Sequence, residues 1–213
     1  VVDGRYAFEG REFELPLTEP RRGHALHGLA AWLDFAPVEQ SADAVTLAAE
    51  IVPQTAYPWH LRIETTFRLD ADGLTQTVRA ENVGTDAAPF GTGPHPYLVA
   101  GSAPLDDWTL ELPAARVLEV TADRLIPLAL HDVAAYDPAR FDWRAPRRLG
   151  AAEIDHAYTD LDRGADGIAR VRLTDPSGTG VELSWDAACA WVQVHTADPV
   201  SYTHLRAHET VLD

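Results

Sequence analysis

The sequence is short of the residue types that mark several common classes of protein. It has no lysine and no methionine, and its single cysteine, Cys189, has no partner for an internal disulfide. A chain without disulfides fits the reducing cytoplasm, which is therefore its expected location. No apolar run approaches the roughly 18 residues of a membrane-spanning helix, so we expect no membrane partner.

Positive charge is also scarce, and the formal net charge is −16. Nucleic-acid binding needs a clustered positive field, so we expect no nucleic-acid partner. The chain opens on "VVDGRYAF", already in the pattern of a strand and without an initiator methionine. We therefore expect that it begins inside a longer protein.

Alternation with a period of two residues is the main periodicity, as in strands with one buried face. "RYAFEGREFEL" predicts a hairpin that turns at Glu9 and Gly10, and the stretch 60–82 predicts a longer hairpin that turns at "DADG". Many short strands between Gly, Pro and Asp turns indicate an all-β fold, either a sandwich or a barrel. Further strands are predicted at 45–52, 108–112, 116–120, 169–175, 181–185 and 191–196, and long irregular connections at 16–34, 86–104 and 121–160.

A length of 213 residues fits one large β domain, which we expect to span 1–199. The stretch 200–213 changes character, because its apolar residues keep no clear period. We expect this stretch to be a non-native tail.

Two of the long connections contain histidines in unusual settings. His95 in "FGTGPHPYLV" lies between two prolines, which restrict the backbone on both sides of it. "RGHALHGLAAW" holds His24 and His27, followed by Gly28 and Trp32. An imidazole exchanges protons near neutral pH, which indicates acid–base chemistry, but a histidine that only satisfies a turn is equally compatible with either pattern.

Two later stretches carry polar side chains that suit a sugar. Asp155 in "EIDHAYTDL" is expected in a loop, where its carboxylate accepts hydrogen bonds from hydroxyls or simply closes a turn. In a strand, "WVQVHT" places Gln193 and His195 on one face and two valines on the other. We expect no metal site, since three convergent ligands on a suitable framework are not evident, and no G-x-S-x-G hydrolase elbow occurs.

Taken in this order, these stretches resemble the aldose 1-epimerase (galactose mutarotase) family over almost the whole chain. The stretch 3–29 is similar to the family's strand pair and His-Gly loop, and "GPHPYL" to its G-x-H-P-Y signature. The resemblance implies a large antiparallel β-sandwich of the galactose mutarotase type, truncated in this chain, with a sugar in a cleft across one sheet. It also implies interconversion of the α and β anomers of free aldohexoses by acid/base ring opening, without cofactor or metal.

Carried over residue by residue, the resemblance implies that His95 is the general acid and His27 the second active-site histidine, so we expect the two imidazoles to lie side by side in one sugar-sized hollow. It gives Asp155 the role of holding sugar hydroxyls and makes Gln193 part of the cleft lining. His24 and Trp32 have no assured counterpart. The partner implied is a small-molecule sugar, while the particular hexose, its phosphorylation and the oligomeric state stay open.

The match breaks at the general base, which in the family is a glutamate followed by a proline. Glu209 lies near the expected distance, but its surroundings, "AHETVL", lack the family pattern. We expect the base to lie beyond the chain and the family's Asn-Arg pair to precede Val1, so that this chain is impaired as an isomerase. The alternatives are a non-catalytic carbohydrate-binding β-sandwich and a cupin-like metal protein.

Overall fold

The computed structural model describes residues 1–196, which divide into two compact units at the His95–Pro96 bond. Regular structure within them is almost entirely strand. The helices of the described part are single turns, α1 (Val133–Tyr136), α2 (Pro138–Phe141) and a 3-10 turn at Leu105–Asp107. None of them is long and apolar enough to cross a bilayer. The predicted tail at 200–213, with Glu209, lies outside the described residues.

The first unit, residues 1–95, contains a two-stranded hairpin and a four-stranded antiparallel sheet in the order β3-β4-β5-β6. Both predicted hairpins are confirmed. Glu9 and Gly10 have φ values of +49° and +74°, as a two-residue turn with the twist of its strands requires. The strands are β1 (Arg5–Phe8), β2 (Arg11–Glu14), β3 (Ala36–Gln40), β4 (Ala44–Ile51), β5 (Leu61–Asp70) and β6 (Gly73–Asn82).

Aromatic side chains form the core of the first unit. Phe13 and Tyr57 each lie 5.0 Å, between ring centroids, from Trp59. Leu61 and Ile63 from the buried end of β5 complete the cluster. The Tyr57 hydroxyl donates a 2.7 Å hydrogen bond to the Pro89 carbonyl, which ties the irregular segment before His95 to this core.

The second unit, from residue 96 onward, contains two antiparallel four-stranded sheets in the orders β10-β7-β12-β13 and β14-β11-β8-β9. Leu110 and Val171 from the first sheet and Val117 and Tyr158 from the second share one buried cluster, so the two sheets form a sandwich. The strands are β7 (Thr109–Glu111), β8 (Ala114–Val120), β9 (Pro127–Asp132), β10 (Arg147–Arg148), β11 (Asp155–Leu161), β12 (Ala169–Thr174), β13 (Gly180–Trp185) and β14 (Val192–His195). The predicted all-β antiparallel class is confirmed.

The structure corrects the predicted connection at 121–160, which contains β9, α1, α2, β10 and the start of β11. The local signals for the two helical turns are Asp132, whose carboxylate accepts from the Ala134 and Ala135 amides, and Asp137, whose carboxylate accepts from the Arg140 amide. Strand β3 was also missed, because all five of its residues are exposed and leave no alternation to detect.

Candidate active site

The loop that carries His27 is fixed by two hydrogen bonds between the Thr18 side chain and the backbone of Leu26, just before the histidine. The Thr18 hydroxyl donates to the Leu26 carbonyl at 2.9 Å and accepts from the Leu26 amide at 2.7 Å. His27 itself has φ +64°, and Gly28 follows with φ +65°. Such left-handed geometry is uncommon for a residue with a side chain and is often found at functional sites.

His95 lies in a segment without regular structure, between Pro94 and Pro96, and its side chain is exposed. Its ring centroid is 5.9 Å from that of His27, with the two rings edge to face at 67°. The two imidazoles lie side by side, as expected, while the sugar-sized hollow that they are expected to line stays a prediction. The roles assigned to them stay a prediction.

The ring nitrogens of two adjacent, exposed imidazoles can offer a ligand one hydrogen-bond donor and one acceptor, or two donors. A histidine moves a proton at neutral pH with little driving force in either direction, which suits general acid–base chemistry. The proline on each side of His95 fixes its own φ, so the backbone that carries the donor has few alternatives.

The second group of candidates lies on β11 and β14 in the second unit. Val192 and Val194 pack against the core, whereas Gln193 and His195 are exposed on the opposite face, as the alternation predicted. The Gln193 side-chain amide donates to Asp155 Oδ1 at 2.9 Å. The expectation that Asp155 lies in a loop is wrong, because it is the first residue of β11 and pairs across the ladder with His195.

Of the two histidines beside Asp155, His156 was not predicted, whereas His195 was predicted on the polar face of its strand but without a role. His156 packs edge to face on Phe141, and its Nδ1 accepts the Asp155 backbone N–H at 3.1 Å. Burial, with a smaller effect of the Arg140 charge, lowers the pKa of His156 and so favours the neutral form of this ring. His195 Nδ1 lies 3.7 Å from Asp155 Oδ1. The polar–apolar alternation of "WVQVHT" was the available signal for His195.

The remaining candidates divide between buried and exposed positions. His24 is buried, and its backbone forms bridges with Val2 and Glu19, which favours a structural role. Trp32 is 91% exposed in the loop that follows His27, so its face is available for stacking. Within residues 1–196 no three His, Cys, Asp or Glu side chains group closely enough to hold a metal ion.

One family model covers almost the whole chain. The family model for aldose 1-epimerase matches residues 1–210. The chain is 32% identical over 199 residues to the uncharacterized protein YihR of Escherichia coli strain K12, covering 93% of this chain and 62% of YihR. The chain therefore spans less than two thirds of the length of this relative.

Two solved structures show the same fold at low sequence identity. One is a galactose mutarotase-like protein from Clostridium acetobutylicum, with a TM-score of 0.71 at 12% identity, covering 92% of this chain and 61% of that one. The other is galactose 1-epimerase from Lactobacillus acidophilus NCFM, with a TM-score of 0.57 at 18% identity, covering 82% of this chain and 55% of that one.

Proposed function

Because the chain belongs to the aldose 1-epimerase family, we propose that it takes part in the interconversion of the α and β anomers of free aldohexoses. The observation that carries the proposal is the edge-to-face contact of His27 and His95, which joins two residues from distant parts of the sequence. Mutarotation needs proton transfer at two oxygen atoms, and imidazoles are suited to supply it near neutral pH.

In the proposed reaction, His95 in its protonated form donates a proton to the ring oxygen O5. A base removes the proton of the hydroxyl on C1, the C1–O5 bond breaks, and C1 becomes an aldehyde carbon. Rotation about C1–C2 and the reverse proton transfers close the ring as the other anomer. His27 donates a hydrogen bond to O5, and the family resemblance assigns the base to a glutamate that is not among residues 1–196.

The role proposed for Asp155 and Gln193 is to hold sugar hydroxyls. A carboxylate accepts hydrogen bonds from two neighbouring hydroxyls, and an amide both donates and accepts. The Gln193 side-chain amide donates a hydrogen bond to Asp155 Oδ1, which limits the orientations of the carboxylate.

The alternative function is sugar binding without catalysis. It is favoured by Trp32, whose exposed ring offers a stacking surface close in sequence to His27. A binding protein needs this surface and the hydroxyl-binding groups but not a proton donor, so the histidine variants separate the two functions.

The test is anomer equilibration of freshly dissolved α-D-glucose and α-D-galactose, followed by polarimetry with the spontaneous rate subtracted. The expected base is not among the described residues, so we expect the unmodified chain to show only a weak acceleration, which His95→Asn should lower further by up to about 10²- to 10⁴-fold, the usual contribution of a general acid. His60→Asn is the matched control, because His60 is a partly exposed histidine that pairs with Glu50 at 2.9 Å on the sheet of the same unit.

Three outcomes are informative. Loss of rate in His95→Asn but not in His60→Asn supports the isomerase. Full activity in His95→Asn contradicts the acid role. Sugar binding detected by NMR, with no acceleration in the unmodified chain and no loss of affinity in His95→Asn, replaces the isomerase with the binding function.

A further inference from the structure

The carboxylate of Asp155 has two nitrogen neighbours, and the function proposed above uses only one of them. Gln193 Nε2 is 2.9 Å from Oδ1, and His195 Nδ1 is 3.7 Å from the same oxygen. Both neighbours lie on β14. No hydrogen bond to Asp155 Oδ2 is found within the described residues.

The register of the two strands explains why both neighbours reach Asp155. His195 is directly opposite Asp155, while Gln193 is opposite Ala157 and reaches Asp155 diagonally. The small side chain of Ala157 leaves room for this reach, since diagonal neighbours in an antiparallel pair are only about 7–8 Å apart. The ladder therefore brings two side-chain nitrogen atoms within 3.7 Å of one carboxylate oxygen.

The end of this ladder is fixed by Thr196. Its hydroxyl accepts from the Ile154 amide at 2.9 Å and donates to the Ala152 carbonyl at 3.1 Å, and its own amide donates to the Ile154 carbonyl. These bonds lock the residue after His195 to the residue before Asp155. A slip of register, which would turn His195 toward the core, is thereby opposed.

Stability does not account for the pair of Asp155 and His195. Their side chains are 38% and 46% exposed, and exposed ion pairs contribute little to folding because water screens them. The face they share is polar, while the opposite face of β14 packs on the core. The arrangement is better suited to a ligand than to the fold.

We propose that His195 is a positioning residue for sugar binding: it holds Asp155 Oδ1 together with Gln193 and thereby presents Oδ2 to a hydroxyl of the aldohexose. The proposal rests on the proposed function, because it concerns the same substrate. His195 acts through Asp155 and not on the reacting bond. Substitution of His195 should therefore change KM and the sugar dissociation constant and leave kcat nearly unchanged.

The test is a double-mutant cycle on His195 and Asp155, with KM and kcat from polarimetry and the D-glucose and D-galactose dissociation constants from NMR titration. His195→Phe keeps a ring and removes the nitrogen that lies 3.7 Å from Asp155 Oδ1, and we expect KM to rise about 2- to 5-fold, the range of an exposed ion pair, with kcat within about 2-fold. His195→Asn restores a nitrogen near the Nδ1 position and should recover most of the affinity. In an Asp155→Asn background, His195→Phe should have little further effect.

His60→Phe is the control, because it removes a histidine–carboxylate pair of the same kind in the first unit, and we expect KM to stay unchanged. Additive effects of His195→Phe and Asp155→Asn overturn the proposal, as does a loss that appears in kcat alone. If the unmodified chain binds sugar without accelerating mutarotation, the isomerase fails and the cycle on the dissociation constants still decides the role of His195. Absence of sugar binding overturns both.

Discussion

The left-handed backbone of His27 leads to a prediction that separates function from folding. The left-handed conformation destabilises a residue with a side chain by about 1–2 kcal/mol, and histidine by somewhat less than most residues. Glycine adopts the left-handed conformation in the folded chain without this destabilisation. His27→Gly therefore removes the imidazole and the strain of its φ of +64° in a single change.

The expected magnitude is a difference of two effects. Relief of the left-handed strain raises the free energy of unfolding by up to about 1–2 kcal/mol. The greater freedom of glycine in the unfolded chain lowers it by about 0.5–1 kcal/mol. His27 is exposed, so few packing contacts are lost. We expect His27→Gly to be between about 0 and 1 kcal/mol more stable, which corresponds to a rise in Tm of up to about 4 °C.

Catalysis should change in the opposite direction. Removal of one hydrogen-bond donor to a developing charge costs about 10²- to 10³-fold in kcat. Stability is measured by urea unfolding and the rate by polarimetry on the same preparation. Gly28→Ala is the matched control: an added Cβ meets no atom within 4 Å, so only the φ of +65° opposes it and a loss of about 1 kcal/mol is expected.

A clear loss of stability in His27→Gly would refute this reasoning, because it would show that the imidazole supports the fold. Unchanged turnover in His27→Gly would refute the predicted loss of catalysis, since the strained geometry of His27 would then have no catalytic purpose. A neutral Gly28→Ala would show that the backbone cost of this loop is smaller than supposed.

Two further predictions concern the core and acid stability of the second unit. Leu112, 1% exposed, lies in the core cluster, so Leu112→Ala should destabilise by about 2–5 kcal/mol in urea unfolding, whereas Leu74→Ala at a 68% exposed site should stay within about 0.5 kcal/mol. Hydrogen bonds from the Ser177 side chain and from the Ser177 and Ala103 amides lower the pKa of Asp175. Its contribution to stability is therefore complete above the ordinary aspartate pKa of about 3.9 and is lost as the pH falls toward the lowered value. Asp175→Asn should reduce stability at neutral pH and weaken the dependence of stability on pH below about 4, and an unchanged acid unfolding profile would contradict this.

Turns and strand faces were predicted correctly where the signal is a pattern of neighbouring residues. The turn at Glu9 and Gly10 and the inward valines of β14 follow from period-two alternation and turn residues. Strand β3 carries no such pattern, since Pro37 lies in it, a bulge follows and every residue is exposed. Its place in the sheet comes from pairing with β4, which is a tertiary effect that a local reading does not contain.

The contact of His27 with His95 required more than periodicity. Both residues lie in loops, where neither a period of two nor of 3.6 residues determines direction, and the family resemblance supplied the expectation that they meet. Asp155 was misplaced for the opposite reason. It is polar and occupies the first position of β11, and a polar residue at that point in the sequence predicts a loop as readily as the start of a strand.

The candidate groups share one property that follows from these positions: they lie where the fold does not depend on them. His27 and His95 are exposed on loops tied down by Thr18 and Tyr57, and Gln193 lies on the outward face of a strand whose valines face the core. Anchoring residues and chemical residues are therefore separate side chains. Substitutions of the chemical set should change sugar affinity or turnover with little change in unfolding free energy, so that a loss of activity reports on chemistry and not on folding.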